Sequence, residues 1–215
     1  HQVDFSIGTG AGTRYERIAA INSTEYYPDW QGRTDAMCSF TSAPLPADTE
    51  LAGHAVLDLW VSSSEPDAAL FAYLTEIEAD EIKIDKRFVM TMRDSQRNLE
   101  VVKSTIDLAH RLGAVAVAEG IEDADGTECY VTEGILRLLH RKVSPCPEGY
   151  QTTWPFRSFR KDDAAALIPG QFEQVVLPLL PTAWCFSAGS RIRLSIAGAD
   201  KDNCGQVPHG RPPLL

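Results

Sequence analysis

Short apolar stretches with partial alternation, separated by proline and glycine, make up most of the chain. In residues 190–200, Ile192, Leu194 and Ile196 alternate with polar residues, as in a strand with one buried face and one solvated face. Further stretches of this kind occupy residues 36–45, 54–64, 69–78, 128–140 and 172–180. Several short strands at regular spacing predict a mainly β protein, with the strands arranged as an antiparallel β-sandwich or jelly roll.

Residues 81–123 break this pattern and predict a β-α-β element. Residues 81–85 alternate like a short strand, and residues 114–118 are continuously apolar, like a buried parallel strand. Between them Ser95 is placed to cap a helix. The apolar positions of this helix recur at three- and four-residue steps, at Leu99, Val102, Ile106, Ala109 and Leu112.

The β-α-β element interrupts a continuous hairpin. Removal of residues 81–125 joins two strand-like stretches at an Asp-Gly turn, a strong hairpin signal. We therefore interpret residues 1–80 and 124–215 as one discontinuous β-sandwich domain that carries a foreign segment, residues 81–123, in a hairpin loop. This interpretation predicts that residues 71–78 and 128–135 are neighbouring antiparallel strands.

Charge and hydropathy exclude several kinds of partner. The 215 residues carry a net charge of −10, with an isoelectric point near 4.9, whereas nucleic acids and anionic membranes select basic surfaces. No apolar run approaches the roughly 18–20 residues of a membrane span, and the first residues do not resemble a signal peptide. We expect neither nucleic acid nor a membrane as a partner.

The five cysteines are widely spaced and include no Cys-x-x-Cys pair, so the sequence indicates neither a zinc site nor a disulfide framework. The pattern is typical of reduced, mostly buried thiols in a cytosolic protein, with a single disulfide as the alternative. We therefore expect a cytoplasmic protein with no metal site and no cofactor.

Long motifs outside residues 81–123 carry a family resemblance. They are TSAPLPADTELAGHAVLDLWVSSSEPDAALFAYL, YVTEGILRLLHRKVS, PFRSFRKDDAAALIPGQ and LLPTAWCFSAGSRIRLSIAGADKDN. In this order they resemble the C-terminal domain of the X-prolyl dipeptidyl-peptidase and cocaine esterase (CocE/NonD) family of serine hydrolases. The resemblance implies a jelly-roll β-sandwich, related to galactose-binding folds, packed against an α/β-hydrolase domain that carries the Ser-His-Asp triad.

The sequence contains no catalytic serine of that kind. A G-x-S-x-G nucleophile elbow is absent from all 215 residues. His54 and His140 stand in strand-like stretches, where a lone histidine is more typical of a packed residue than of a base. We therefore expect no catalytic residue in this chain.

The four tryptophans are the candidate ligand contacts, since aromatic faces stack on sugar rings. Trp60 and Trp184 lie in or near apolar strands and are expected to pack in the core. Trp30 and Trp154 stand in loop-like sequence, so we predict that they are exposed. In the family such loops could also face the hydrolase domain.

Inside the β-α-β element, the motifs EIKIDKRFV, STIDLAHRLG and VAVAEGIED resemble the EAL family of cyclic-di-GMP phosphodiesterases, TIM-barrel enzymes that use divalent metal ions. By motif, Lys83 matches the active-site lysine of that family and Glu119 its catalytic glutamate. The E-x-L motif, the paired aspartates and the later glutamine motif, which supply the metal ligands, are missing. Metal-assisted hydrolysis needs the whole set, so we expect Lys83 and Glu119 to be vestigial.

The two resemblances support one leading hypothesis and two alternatives. The leading hypothesis is a non-catalytic β-sandwich of a serine-hydrolase lineage that carries an EAL fragment, a chimera without activity of its own. One alternative is a jelly roll that binds carbohydrate or another small ligand. The other is an accessory domain that shapes the pocket of an α/β-hydrolase acting on esters or X-Pro peptides. The open strand edges of the insert also predict a homo-oligomer assembled through it.

Overall fold

The computed structural model describes residues 2–9, 30, 32–78, 81–85, 95–112, 115–119 and 127–215. The strands are β1 (Cys38–Thr41), β2 (Thr49–Gly53), β3 (Val56–Val61), β4 (Ala69–Ile77), β5 (Glu81–Asp85), β6 (Val115–Glu119), β7 (Glu128–Arg137), β8 (Glu173–Pro178), β9 (Thr182–Phe186) and β10 (Arg191–Ala197). The described residues also form one α-helix, α1 (Gln96–Leu112), and two single 3-10 turns, Leu138–His140 and Lys161–Asp163.

The strands outside residues 81–123 are all antiparallel. One sheet has the order β1-β10-β4-β7, while β2 pairs with β9 and β3 pairs with β8. The main hydrophobic core contains side chains from β4 and β7 of the large sheet and from β8 and β9 of the two smaller ladders. This arrangement confirms the predicted mainly β, antiparallel sandwich.

Strand β4 is buried on both faces. Leu70, Ala72 and Leu74 point into the main core, whereas Phe71 and Tyr73, which alternate with them, enter a second apolar cluster on the other side of the sheet. The second cluster also contains Ile7, Trp30, Met37, Ala69, Tyr130 and Ala197. A strand covered on both sides explains why residues 69–74 are apolar almost without interruption.

Among the described residues, the sequence pattern located six of the eight sandwich strands and missed β2 and β9. Strand β2 reads TELAG, which has weak strand propensity and no apolar alternation. It forms because each residue from Thr49 to Gly53 lies opposite a residue of β9, from Phe186 to Thr182. Since these partners are far apart in sequence, the local pattern does not reveal the pairing.

The two strands that flank the predicted insert are neighbours. Strands β4 and β7 pair antiparallel over their whole length, from Ala69 opposite Arg137 to Ile77 opposite Glu128, with one bulge after Leu74. The backbone N–H of Glu78 also donates to the carbonyl of Thr127. The prediction of adjacent antiparallel strands on either side of residues 81–123 is therefore confirmed.

Between these flanks the chain forms a small parallel unit. Strands β5 and β6 pair in parallel, with Glu81 opposite Val115, as a two-stranded sheet of their own. Helix α1 packs against both strands, with Val102 buried, and its first turn begins at Ser95, whose carbonyl accepts the N–H of Leu99. The division of the chain into a sandwich and an inserted domain stays a prediction.

We predict that the sandwich folds without the inserted segment. Deletion of residues 81–125 should give a cooperative unfolding transition, because the ends of β4 and β7 are already paired. The free energy of unfolding should stay the same or rise by about 1–2 kcal/mol, since each halving of a loop lowers the closure cost by about 0.6 kcal/mol. Tryptophan fluorescence in a urea titration measures this, because all four tryptophans lie outside the deletion.

A variant with a glycine-serine linker of equal length in place of residues 81–125 is the control for loop length. Loss of the cooperative transition in both variants would show that the sandwich needs the segment to fold, and would contradict the insertion hypothesis.

Homo-oligomer formation through the insert also stays a prediction. The sheet of β5 and β6 has no third strand among the described residues, and two-stranded sheets with open edges are marginally stable and prone to pair. Sedimentation velocity at micromolar concentration should show a dimer or larger species for the full chain and a monomer after deletion of residues 81–125. A monomeric full chain, or an oligomer that survives the deletion, would contradict this.

Candidate functional site

Trp30 is buried, so the prediction of an exposed aromatic contact at this position is wrong. Only 2% of its surface is exposed, and its ring lies 5.2 Å from that of Tyr73 and 5.3 Å from that of Tyr130. Loop-like sequence around Trp30 suggested exposure. However, the outer face of β4 and β7 needs an apolar cover, and Trp30 forms part of it.

Trp60 is exposed, so the prediction that it packs in the core is wrong. It was expected in the core, yet 67% of its surface is exposed, because on β3 it shares a face with Val56 and Asp58, which are exposed too. Trp184 is half-buried against the main core as expected, and its indole N–H donates to a carboxylate oxygen of Glu76 at 2.8 Å.

Trp60 borders an apolar groove of about 440 Å³. Phe40 on β1 and Phe172, just before β8, join it there, and both are largely exposed. The remaining lining is mostly aliphatic and includes Leu59 and Ile196. Three exposed aromatic rings around one groove form the kind of surface that monomeric soluble proteins rarely leave uncovered.

Trp154 is exposed, as predicted, and borders a second cleft. The cleft has a volume of about 450 Å³, and the imidazole of His54 lies 4.6 Å from the Trp154 ring at a tilt of 42°. The other lining residues are Gly134, Ile135, Pro178, Leu179, Leu180 and Pro181. Trp154, alone of the two predicted contacts, is therefore placed to touch a ligand.

His54 and His140 make no triad contacts among the described residues. Nδ1 of His54 lies 3.1 Å from the carbonyl oxygen of Leu179, and the ring of His140 packs against Phe159 at 5.7 Å. In the described part of the chain, neither ring bonds a serine hydroxyl or a carboxylate. General-base catalysis needs such contacts, and the absence of a catalytic residue from this chain stays an expectation.

Cys129 and Cys204 are not activated nucleophiles. All five are free thiols, but none is fully buried and two are exposed, so the expectation of mostly buried thiols is wrong. Burial, with the carboxylate of Glu78 as a second cause, raises the pKa of Cys129 to about 11. Burial also raises the pKa of Cys204, with Asp200 contributing. Both groups are protonated near neutral pH, whereas a reactive cysteine needs a lowered pKa.

Lys83 and Glu119 lie on the parallel strands β5 and β6. In the backbone register Lys83 is opposite Val117, and Glu119 is opposite Asp85. The two residues therefore stand two positions apart along one strand pair, and their vestigial role stays a prediction.

Among the described residues no group of three acidic, histidine or cysteine side chains is placed to hold a metal ion.

Two buried carboxylates, which the sequence did not single out, connect distant segments. Asp200 accepts hydrogen bonds from the Thr9 hydroxyl at 2.7 Å, the Asn203 amide at 2.9 Å and the Tyr73 hydroxyl at 3.2 Å. These partners come from the N-terminal segment, from β4 and from the loop that follows β10, so Asp200 connects three parts of the chain.

Glu128, the first residue of β7, also connects distant segments through its carboxylate. Its carboxylate accepts from the hydroxyls of Thr34 at 2.7 Å and Thr75 at 2.8 Å, and pairs with Arg193 at 3.1 Å. Such charge-assisted bonds satisfy a buried acid.

In the described part of the chain no helix is both long and apolar enough to cross a membrane, and cytoplasmic location stays a prediction.

Comparison with known proteins identifies one family. The model of the X-Pro dipeptidyl-peptidase C-terminal non-catalytic domain matches residues 20–213. A protein of Mycobacterium bovis named "Putative serine esterase" is 30% identical over 210 residues, which cover 98% of this chain and 26% of that protein. A Mycobacterium tuberculosis protein of the same name matches equally well. The chain thus spans about a quarter of the length of these relatives.

Two further similarities are to a solved structure and to a short part of another curated protein. An aminopeptidase structure from a marine sediment archaeon, Thaumarchaeota archaeon, has a TM-score of 0.51 at 16% identity, covering 91% of this chain and 26% of that one. A cyclic di-GMP phosphodiesterase of Pseudomonas aeruginosa is 39% identical over 51 residues, which are 24% of this chain and 6% of that protein.

The burial of Trp30 and the exposure of Trp60 predict unequal effects on the free energy of unfolding. Trp30→Ala should lower the free energy of unfolding by about 3–5 kcal/mol, the usual cost of removing a buried tryptophan. Trp60→Ala should change it by no more than about 0.5 kcal/mol, as for most surface positions. Urea unfolding followed by circular dichroism measures both, and equal effects of the two substitutions would contradict the structure.

Proposed function

Because this chain belongs to the family of X-Pro dipeptidyl-peptidase C-terminal non-catalytic domains, we propose that it is the accessory β-sandwich of a longer serine hydrolase that acts on esters or X-Pro peptides. Three quarters of the M. bovis relative lies outside the matched region, and that relative is named as an esterase. The absence of a nucleophile elbow fits a chain whose catalytic serine is supplied by a separate domain.

The observation that carries the proposal is the apolar groove of Phe40, Trp60 and Phe172. Each ring exposes 60–68% of its surface, although the chain carries a net charge of −10. Aromatic side chains that are exposed together around one groove are typical anchors of an interface. We assign the groove to the catalytic domain of the same longer polypeptide, which the sandwich would contact permanently.

We further infer that residues 81–123 are a foreign segment of EAL origin and that the chain is a chimera. Three observations support this. The segment is parallel within an otherwise antiparallel protein, its flanking strands pair directly, and a relative of the EAL type matches 51 residues of the chain. With its metal ligands missing, the segment should not hydrolyse cyclic-di-GMP.

A hybrid enzyme tests the proposed function. In the hybrid, this chain replaces the 210 matched residues of the M. bovis relative. We expect the hybrid to fold and to react with a fluorophosphonate probe, whereas the isolated chain should neither react nor turn over ester or X-Pro substrates. Trp60→Ser with Phe172→Ser should lower the thermal stability and the labelling of the hybrid, because the groove loses its apolar anchors.

The matched control is the hybrid with Trp154→Ser, which removes an exposed tryptophan outside the groove and should label normally. Labelling of the isolated chain would overturn the non-catalytic assignment. A hybrid with both groove substitutions that is as stable as the unsubstituted hybrid would overturn the assignment of the groove.

A further inference from the structure

The cleft between His54 and Trp154 shares no residue with the groove of Phe40, Trp60 and Phe172. It differs from the groove in having an imidazole among its lining side chains. Its volume of about 450 Å³ lies within the range of about 300–1,000 Å³ that is usual for small-molecule sites. The backbone forms part of the wall at Gly134, where a Cβ atom would come within 2.7 Å of both Leu179 and the Pro178 carbonyl. The backbone at Gly134 is thus packed closely against Pro178 and Leu179, and Trp154 adds an aromatic ring to the lining.

The hydrogen bond of His54 fixes which of its ring nitrogens can meet a ligand. Nδ1 lies 3.1 Å from the carbonyl oxygen of Leu179. A carbonyl oxygen only accepts hydrogen bonds, so Nδ1 carries the proton and donates it. In the neutral ring Nε2 is then an acceptor, and it has no partner among the described residues.

Three backbone groups that line the cleft are already paired. The N–H groups of Leu179 and Leu180 donate to the carbonyls of Ala55 and Glu133, and the carbonyl of Leu180 accepts from the hydroxyl of Thr132. The side chains around them are proline, leucine and isoleucine. A sugar would bring many hydroxyl groups into a cleft with few partners, and each unpaired buried hydroxyl costs about 1–3 kcal/mol.

We propose that this cleft binds a phenolic ring. The ring would stack on Trp154, which offers an exposed indole face beside the imidazole, and the phenolic O–H would donate to Nε2 of His54. The ring would otherwise contact the aliphatic walls of the cleft. The same group occurs in free small phenols and in the tyrosine side chain of a peptide, and both satisfy this chemistry.

The test measures the binding of p-cresol, toluene and methyl galactoside to the full 215-residue chain. Each compound is titrated into the protein, and the shifts of the protein's amide NMR signals report the binding. We expect saturable binding of p-cresol, with toluene at least about threefold weaker because it lacks the O–H donor, and no binding of methyl galactoside. Trp154→Ala should weaken p-cresol binding by about tenfold or more. Trp60→Ala, which removes an exposed tryptophan elsewhere, should leave it unchanged.

His54→Asn separates the two nitrogens of the ring. The asparagine amide can still donate to the carbonyl of Leu179 but offers nothing in the place of Nε2, so p-cresol should bind this variant no better than toluene. Acetyl-tyrosine amide and a tyrosine-containing pentapeptide distinguish the two sources. Tighter binding of the pentapeptide than of p-cresol assigns the site to a peptide, and the reverse assigns it to a free phenol.

Several outcomes would overturn the proposal. They are equal affinity for toluene and p-cresol in the unsubstituted chain, unchanged p-cresol binding in Trp154→Ala, loss of binding in Trp60→Ala, or tighter binding of methyl galactoside than of p-cresol. Thermal unfolding of each variant confirms that it is folded before titration. The experiment involves neither a catalytic domain nor the groove, so it is independent of the proposed function.

Discussion

The two-sided burial of strand β4 is the constraint on which the rest of the sandwich depends. With Leu70 and Leu74 in one cluster and Phe71 and Tyr73 in another, a slip of one residue would exchange the two sets, so packing fixes the register. The outer cluster requires a cover from elsewhere in the chain. Trp30 supplies it by packing on Tyr73, whose hydroxyl also donates to the buried carboxylate of Asp200.

The same strand explains why the hairpin between β4 and β7 can carry a long segment. The pairing continues to Ile77 and Glu128, at the point where residues 79–126 begin and end. There the carboxylate of Glu128 is held by Thr34, Thr75 and Arg193, from three different parts of the chain. The open end of the hairpin is therefore fixed by the sandwich itself, and loop-closure entropy rises only slowly with the length of what lies between.

The sequence predicted elements well where a local pattern determines them. Alternation located β3 and β10, and the helical period located α1. It could not predict the burial of Trp30, because that depends on which face of a distant sheet lacks a cover. The exposure of Trp60 was predictable in part, since alternation along β3 puts it on the face of Asp58. The pairing of β2 with β9 could not be predicted from the local pattern, because the paired residues are more than a hundred positions apart in sequence.

The two aromatic surfaces differ in the one property that decides what each can bind. Around Trp60 the neighbouring side chains are nearly all apolar, so only a broad hydrophobic surface satisfies the groove, as at a domain interface. Beside Trp154, the Nε2 atom of His54 has no partner among the described residues, and the lining side chains are otherwise mostly aliphatic. One directed hydrogen bond within an apolar cleft selects a small ring with one donor. We therefore propose ligand recognition beside Trp154 and domain packing around Trp60, and the imidazole of His54 is the group that distinguishes the two surfaces.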